Sequence, residues 1–182
     1  MYYTSGRTAY ISVHEFNFDK DNSYNFPNIS GPGSFSGWTR SGDSYDYNGT
    51  ISCLAEGDYA IVQDLIDKAG NTMDEPISQS FTIDWTKPNI QISGVENRQA
   101  YGDSAQPNVT ITDANMATAT TCQVESLGAT KGHPYSASPA TSRTQYTYSY
   151  ANPERVPEND GVYRINVNAV DMAGNGDVQE RV

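Results

Sequence analysis

The sequence predicts an all-β protein made of two β-sandwiches in tandem. Apolar and polar residues alternate, as in "YAIVQDLI" (residues 59–66) and "YRINVNAV" (residues 163–170), and no stretch has the period of an amphipathic helix. Gly, Pro, Asn, Asp and Ser interrupt the alternating runs about every 8 to 12 residues, which is typical of the short strands of sandwiches. A long internal repeat sets the number of sandwiches at two.

The repeat consists of two blocks that recur in the same order. The block "EGDYAIVQDLIDKAGNTM" (56–73) matches "DGVYRINVNAVDMAGNGD" (160–177) at an offset of 104 residues, and "YISVHEFNF" (10–18) matches "NVTITDANM" (108–116) at an offset of 98 residues. The second copy therefore carries six more residues between its blocks. A period near 100 residues indicates tandem domains, because solenoid repeats are far shorter.

The segment "FTIDWTKPNIQISGV" predicts the boundary between the copies. It contains an alternating strand, a linker at 84–87 and a second alternating strand after Pro88, whose ring fixes φ and limits bending. We therefore predict one domain at 1–85 and another at 86–182, joined by this short linker with its proline at residue 88. Nothing in the first copy matches the opening strand of the second copy, 89–93, so we expect the first domain to lack its first strand.

Tyr59 and Tyr163 give the sandwiches a more specific character. Each follows a glycine-containing turn and opens an alternating strand, as the tyrosine of a tyrosine corner does, where the hydroxyl bonds to backbone upstream of it. Two residues further on, where an antibody domain has a cysteine, stand Ile61 and Ile165. The two cysteines of the chain occupy unmatched positions of the repeat, so we predict free thiols and a core without a disulfide.

Four blocks together resemble a known family: "RTAYISVHEFNFD", "GDYAIVQDLIDKAGN", "FTIDWTKPNI" and "VTITDANM…GVYRINVNAVDMAGN". They are similar to the tandem bacterial immunoglobulin-like domains of large secreted, wall-associated proteins of Gram-positive bacteria, and the resemblance covers nearly the whole chain. It implies two immunoglobulin-like β-sandwiches in a fragment of a larger exported protein at the bacterial cell surface or cell wall. It also implies a stalk, spacer or adhesion role, with neighbouring immunoglobulin-like domains and a host or cell-wall glycan or protein as partners.

The composition argues against several other classes of partner. The chain has 182 residues and a net charge of −11, with 22 acidic residues against 11 Lys and Arg. Such a charge repels phosphate backbones and anionic lipid surfaces, so we expect no nucleic-acid partner. No run approaches the roughly 18 apolar residues that span a bilayer, and the first ten residues do not form a signal peptide, so we expect no membrane insertion.

The sequence predicts no catalytic site and no cofactor. The only histidines, His14 and His133, do not recur in the repeat, and the chain has no phosphate-binding glycine loop, CxxC or HExxH motif. An internal Lys–Asn isopeptide bond requires a buried lysine on a strand. The lysines all lie in predicted turns or linkers: Lys20, Lys68, Lys87 and Lys131.

Calcium is the metal that the sequence suits best, because hard cations bind carboxylate and carbonyl oxygens. In a tandem pair of sandwiches the acids expected at the joint between the domains are Glu56, Asp58, Asp84, Asp113 and Asp171, with Asn115 beside them. The alternative is that the "DxAGN" acids, Asp67 and Asp171, accept hydrogen bonds from their own loops, with the following glycines supplying the turn. We favour the alternative, and expect the asparagines to tolerate left-handed backbone and bond their own backbone.

Carbohydrate binding is a further alternative, because sugars stack on exposed aromatic rings. The clusters "YTSGRTAY", "GDSYDYNG" and "TQYTYSYANP" are rich in tyrosine, and Trp38 lies near the second of them. Tyr146, Tyr148 and Tyr150 alternate along one strand and so share one face, which we expect to pack into the core.

Overall fold

The computed structural model describes residues 1–102, 105–127, 137–141, 144–150 and 160–182. Within these residues every regular element is a β-strand except one turn of 3₁₀ helix at Ser23–Asn25, so the all-β prediction is confirmed. The chain divides into two compact units, Met1–Trp85 and Thr86–Val182, which are described separately.

The first unit contains two sheets. Its strands are β1 (Tyr2–Tyr3), β2 (Arg7–His14), β3 (Asn28–Ser30), β4 (Gly33–Phe35), β5 (Thr39–Arg40), β6 (Asp46–Cys53), β7 (Gly57–Gln63) and β8 (Ile77–Ile83). One sheet has the order β1-β8-β7-β3, and the other has the order β2-β6-β4 with β5 also paired to β6. Strand β1 runs parallel to β8, and the other pairs of this unit are antiparallel.

The two sheets of the first unit enclose an apolar core. Ile51 and Cys53 of β6 meet Tyr59 of β7 and Ile83 of β8, and all four side chains are buried. They alternate with exposed or half-buried positions along their strands, as the pleat requires. Because the buried side chains come from both sheets, the two sheets form a sandwich. Burying each of the larger apolar side chains contributes about 1.5 to 3 kcal/mol to its stability.

The first unit also contains a separate cluster of buried aromatic residues. Phe18 packs edge-on against Trp38 at 5.3 Å between ring centroids, and its ring is tilted against that of Tyr47 at 4.9 Å. Trp38 is buried, and its Nε1 donates a hydrogen bond to the backbone oxygen of Asn25 at 2.8 Å. Trp38 therefore stabilises the core and offers no surface on which a sugar can stack.

The second unit also contains two sheets. Its strands are β9 (Asn89–Ser93), β10 (Asn108–Thr112), β11 (Thr121–Ser126), β12 (Ala137–Thr141), β13 (Gln145–Tyr150), β14 (Tyr163–Val170) and β15 (Gly176–Arg181). One sheet has the order β12-β13-β10-β9 and the other the order β11-β14-β15. All of these pairs are antiparallel.

The core of the second unit follows the alternation of its sequence. Val109 and Ile111 of β10 and Val167 of β14 are fully buried, and Tyr146 and Tyr150 of β13 join them in the same cluster. Because these tyrosines pack against aliphatic side chains of both sheets, the expectation that their face points into the core is confirmed.

The tyrosine corner is confirmed in the first unit. Tyr59 is 2% exposed, and its hydroxyl donates a hydrogen bond to the backbone oxygen of Ala55 at 2.8 Å. The loop preceding Tyr163 includes residues 151–159, which lie outside the described residues. Cys53 and Cys122 are free thiols, as their unmatched positions in the repeat predict.

The two units begin differently. The opening strand of the second unit, β9, pairs along its five residues with β10. In the first unit no described strand occupies the corresponding edge of β2, and the short strand β1 instead lies beside β8. Backbone hydrogen bonds of 2.8 Å from Thr82 to Met1 and from Asp84 to Tyr3 hold β1 there.

Candidate functional site

The repeated "DxAGN" loop joins the last two strands of each unit, and in the first unit its acid organises the turn. One carboxylate oxygen of Asp67 accepts hydrogen bonds from the backbone N–H groups of Ala69 and Asn71, both at 2.8 Å, and the other accepts one from the Asn71 side chain at 2.7 Å. Gly70 takes a left-handed backbone with φ +91°. The hydrogen bonds from Asn71 hold the pKa of the Asp67 carboxyl below its usual value.

The loop of the second unit repeats this geometry. The Asp171 carboxylate accepts hydrogen bonds from the backbone N–H of Asn175 at 2.8 Å and from its side-chain amide at 2.6 Å. Gly174 has φ +93°, and its N–H donates to the Asp171 backbone oxygen at 3.3 Å. The interpretation of these acids and glycines as parts of a turn is therefore confirmed in both units.

The prediction for the two asparagines of this loop was wrong. Neither Asn71 nor Asn175 has a left-handed backbone, and each side chain donates to the aspartate carboxylate four residues earlier. The physical reason is that the preceding glycine already supplies the left-handed residue of the turn. The asparagine amide is then placed to make a charge-assisted hydrogen bond, which is stronger than a bond to its own backbone.

The two repeated blocks of sequence touch each other in both units. In the first unit the N–H of Lys68 donates to the backbone oxygen of Asn17 at 3.0 Å, and in the second unit the N–H of Met172 donates to that of Asn115 at 2.7 Å. These residues correspond in the two copies of the repeat. The fold thus brings together the two segments that recur most clearly in the sequence.

A second acid accompanies each loop, and one of the two had not been singled out from the sequence. Asp113 accepts a hydrogen bond from the N–H of Asn115 at 2.7 Å, and Glu15 accepts the equivalent bond from Asn17 at 2.9 Å. Glu15 matches Asp113 at the repeat offset of 98 residues, and this match is the feature of the sequence that identifies Glu15.

Two acids of the second unit lie close together. A carboxylate oxygen of Asp113 is within 4.8 Å of one of Asp171. Asp171 is 2% exposed and Asp113 is half-buried. Two negative charges at this separation repel each other more strongly in a partly buried setting than in water, and carboxylate oxygens placed this close can share a hard cation such as calcium.

The other predicted calcium ligands lie in the first unit and have structural roles there. The Glu56 carboxylate accepts a hydrogen bond from the N–H of Trp85 at 2.7 Å, and Asp58 accepts one from the Thr82 hydroxyl at 2.6 Å. Asp84 is buried and continues the pairing of β8 with β1. That these three acids share an ion with Asp113 and Asp171 stays a prediction.

The described histidine and the described lysines lie on the surface. His14 pairs with Asp46 at 2.6 Å, and both side chains are at least half exposed. The described lysines, Lys20, Lys68 and Lys87, are exposed rather than buried on neighbouring strands. His133 and Lys131 lie outside the described residues.

A shallow depression of about 480 Å³ lies on the outer face of the sheet β2-β6-β4. Its lining carries no ionisable side chain other than the tyrosine hydroxyl, and consists of Tyr10, Ile11, Ser12, Ser36, Thr39, Asn48, Gly49 and Thr50. Tyr10 is 83% exposed. The depression therefore offers hydroxyl, amide and aromatic groups to a ligand, and it contains no histidine, thiol or carboxylate to act as a general base.

Comparison with known proteins gives one family match. The model of the family described as "Bacterial Ig-like domain (group 3)" matches residues 43–181. No curated protein matches the chain. In the described part of the chain, no helix has the length and apolar character needed to cross a membrane.

Two solved structures of surface layer protein SbsC are similar to the chain at low sequence identity. The structure of SbsC domains 4–9 is 13% identical over 99% of this chain and 29% of that chain, with a TM-score of 0.25. The structure of domains 5–6 is 16% identical over 97% of this chain and 80% of that chain, also with a TM-score of 0.25. The chain thus spans less than a third of the larger SbsC structure.

Proposed function

Because the chain belongs to the bacterial immunoglobulin-like domain family (group 3), whose model matches residues 43–181, we propose that it is a non-catalytic module of a bacterial surface protein. Its role is that of a spacer outside the cell, built from two tandem immunoglobulin-like sandwiches with boundaries at 1–85 and 86–182. Neighbouring domains of the same exported protein are its partners. The observation that carries this proposal is the family match, and the geometry of the first unit supports it.

A spacer has to bear tension, and the first unit has a suitable strand arrangement. Its first strand, β1, lies parallel to its last strand, β8, and the two pair at Tyr2 with Thr82 and at Tyr3 with Ile83. Pulling the two ends of the unit apart loads these hydrogen bonds in shear, so they must break together rather than one after another. An arrangement of this kind resists force better than a hairpin that is opened from its end.

We expect the chain to unfold under force in two separate steps. An unfolded chain extends by about 3.4 Å per residue. Stretched between handles at its termini, the chain should therefore lengthen by roughly 290 Å when the first unit opens and by roughly 330 Å when the second unit opens, in each case minus the length of the folded unit. Single-molecule force spectroscopy measures both values. One step that releases the whole chain, or extension without a peak, would contradict a spacer made of two independent domains.

Calcium binding by the second unit is a second candidate function, favoured by the approach of Asp113 to Asp171. An ion between these carboxylates would gain charged oxygen ligands of the kind that calcium prefers. It would stabilise the folded state by an amount that grows with the logarithm of the calcium concentration above the dissociation constant, because the unfolded chain does not hold the two acids together.

Thermal unfolding measured by calorimetry tests the calcium candidate. If calcium binds, millimolar calcium should raise the unfolding midpoint relative to a chelator, and the rise should be lost in Asp113→Asn. Magnesium at the same concentration is the control for ionic strength. A midpoint that is the same in calcium and in chelator would remove calcium from the functions of this chain.

A further inference from the structure

We propose that the outer face of the sheet β2-β6-β4 binds a neutral oligosaccharide, with the ring of Tyr10 as its stacking surface. This inference deepens the proposed function, because it gives the spacer a face that can adhere to sugars. It rests on the proposed function only for the location of the protein at the bacterial surface. The site lies entirely within the first unit.

The strand register arranges the side chains of this face as a grid. Ile11 and Ile51 point into the core, so the residues on either side of them in β2 and β6 point outward. One row across the sheet consists of Tyr10, Thr50 and Ser36, and the next row consists of Ser12, Asn48 and Thr39. Three strands of this kind span about 10 Å, which is wide enough for a short oligosaccharide.

Tyr10 provides the aromatic surface that binding of a sugar ring requires. Its side chain is 83% exposed in the middle of a strand, where neighbouring side chains usually cover part of a ring. No ring-to-ring contact or cation above the ring involves it among the described residues. An uncovered aromatic ring gains free energy when an apolar surface such as the C–H face of a sugar lies on it.

The polar groups around Tyr10 are available to hydroxyl groups of a ligand. Within the described part of the chain, no protein group hydrogen-bonds the side chains of Ser12, Thr39, Asn48 or Thr50. Ser36 differs, because its hydroxyl donates to the backbone oxygen of Gly37 at 3.0 Å and accepts from the N–H of Thr50 at 2.9 Å. The face therefore offers three hydroxyls and one amide, each able to donate and to accept.

The charge of the site selects a neutral ligand. Its lining contains no acidic or basic side chain, while the whole chain carries a net charge of −11. An anionic ligand would meet repulsion without a compensating lysine or arginine, and a cationic one would find no carboxylate in the lining. A neutral sugar needs no charged partner, and its many hydroxyl groups match the mixed donor and acceptor groups of the grid.

The depression also argues against a large apolar partner. Only Tyr10 and Ile11 contribute large apolar residues to its lining, and Ile11 packs inward against the core. Protein interfaces have a fully buried apolar centre, which this face does not provide. Its volume of about 480 Å³ lies within the range of sites for small ligands.

A glycan array probed with the complete labelled chain tests the inference. We expect binding to neutral glycans, with weaker signals on sialylated or uronic-acid glycans of the same backbone. Tyr10→Ala should lower the affinity for the best neutral glycan at least tenfold, as measured by titration calorimetry, and Tyr10→Trp should retain binding. Tyr24→Ala, which removes another exposed tyrosine of the first unit, is the matched control and should bind as the unmodified chain does.

The outcomes separate this inference from the proposed function. Absence of glycan binding, binding that Tyr10→Ala leaves unchanged, or binding restricted to acidic glycans or to proteins would each overturn the sugar site. None of these results bears on the force measurement, which tests the spacer alone. Thermal unfolding of Tyr10→Ala checks that its fold is intact, and if it is not, Thr39→Ala and Asn48→Ala together provide the loss-of-binding test.

Discussion

Replacing Asn25 with alanine is expected to destabilise the first unit by about 3 kcal/mol and to leave the second unit unchanged. Asn25 has no exposed surface. Its side-chain amide donates to the backbone oxygens of Asp19 at 3.0 Å and Ile66 at 2.9 Å, and its side-chain oxygen accepts from the N–H of Ile66 at 2.7 Å. One side chain thus satisfies three partly buried backbone groups on two segments of the chain.

The expected loss follows from what the alanine leaves behind. A fully buried donor or acceptor without a partner costs about 1 to 3 kcal/mol, and because these three groups are only partly buried, we expect their combined loss to be near the upper end of that range. The backbone oxygen of Asn25 also accepts hydrogen bonds from Trp38 at 2.8 Å and Gln63 at 3.1 Å. Any shift of the backbone would weaken these bonds too, so the aromatic cluster of Phe18, Trp38 and Tyr47 should loosen.

Hydrogen exchange resolved by peptide, together with chemical denaturation, checks this expectation. Protection should fall in β6 and β7 of the first unit and remain the same in β14 of the second unit. Asn28→Ala is the control, because Asn28 is an exposed asparagine of the same unit. A loss for Asn25→Ala no larger than that of Asn28→Ala would show that the three hydrogen bonds contribute little to stability.

The sequence contained no signal for Asn25, although it predicted much of the surrounding fold. Asn25 lies between the two repeated blocks, in a part of the first copy without a match in the second. One of its partners, Ile66, is 41 residues away, and no periodic pattern identifies such a polar contact. By contrast, Val109 and Ile111 alternate with polar residues in "NVTIT" and both are buried, so a local pattern is enough to indicate residues of this kind.

The same distinction applies to the candidate sites. The "DxAGN" turn was predictable because its hydrogen bonds join residues two and four positions apart, and such contacts depend on local sequence alone. The approach of Asp113 to Asp171 depends on the packing of two segments that are distant in the sequence. The recurrence of both segments in the repeat does not by itself show that they are in contact. For Tyr10 the alternation was ambiguous, because Tyr10 and Ile11 are both apolar and only the structure shows which of them points outward.

Asp171→Ala is expected to destabilise the second unit by about 2 to 3 kcal/mol, since hydrogen bonds to a charged group contribute about 1.5 to 3 kcal/mol. Asp171 is 2% exposed, and the substitution removes the carboxylate that accepts hydrogen bonds from the N–H of Asn175 at 2.8 Å and from its side-chain amide at 2.6 Å. Asp67→Ala removes equivalent bonds in the first unit, but Asp67 is more exposed, so water can replace them and the loss should be smaller. Chemical denaturation in the presence of a chelator measures both losses without any contribution from calcium.

The pH dependence of the Asp67 contribution provides an independent check on this difference. The pKa of Asp67 in the folded protein is lowered by the hydrogen bonds from Asn71, so its ionised form favours folding. Its contribution is therefore fully present above the ordinary pKa of 3.8 and is lost as the pH falls through the lower folded value. The difference in stability between the unmodified chain and Asp67→Asn should shrink over that interval. Equal losses of stability in the two alanine variants would contradict the expectation that burial strengthens the hydrogen bonds of this turn.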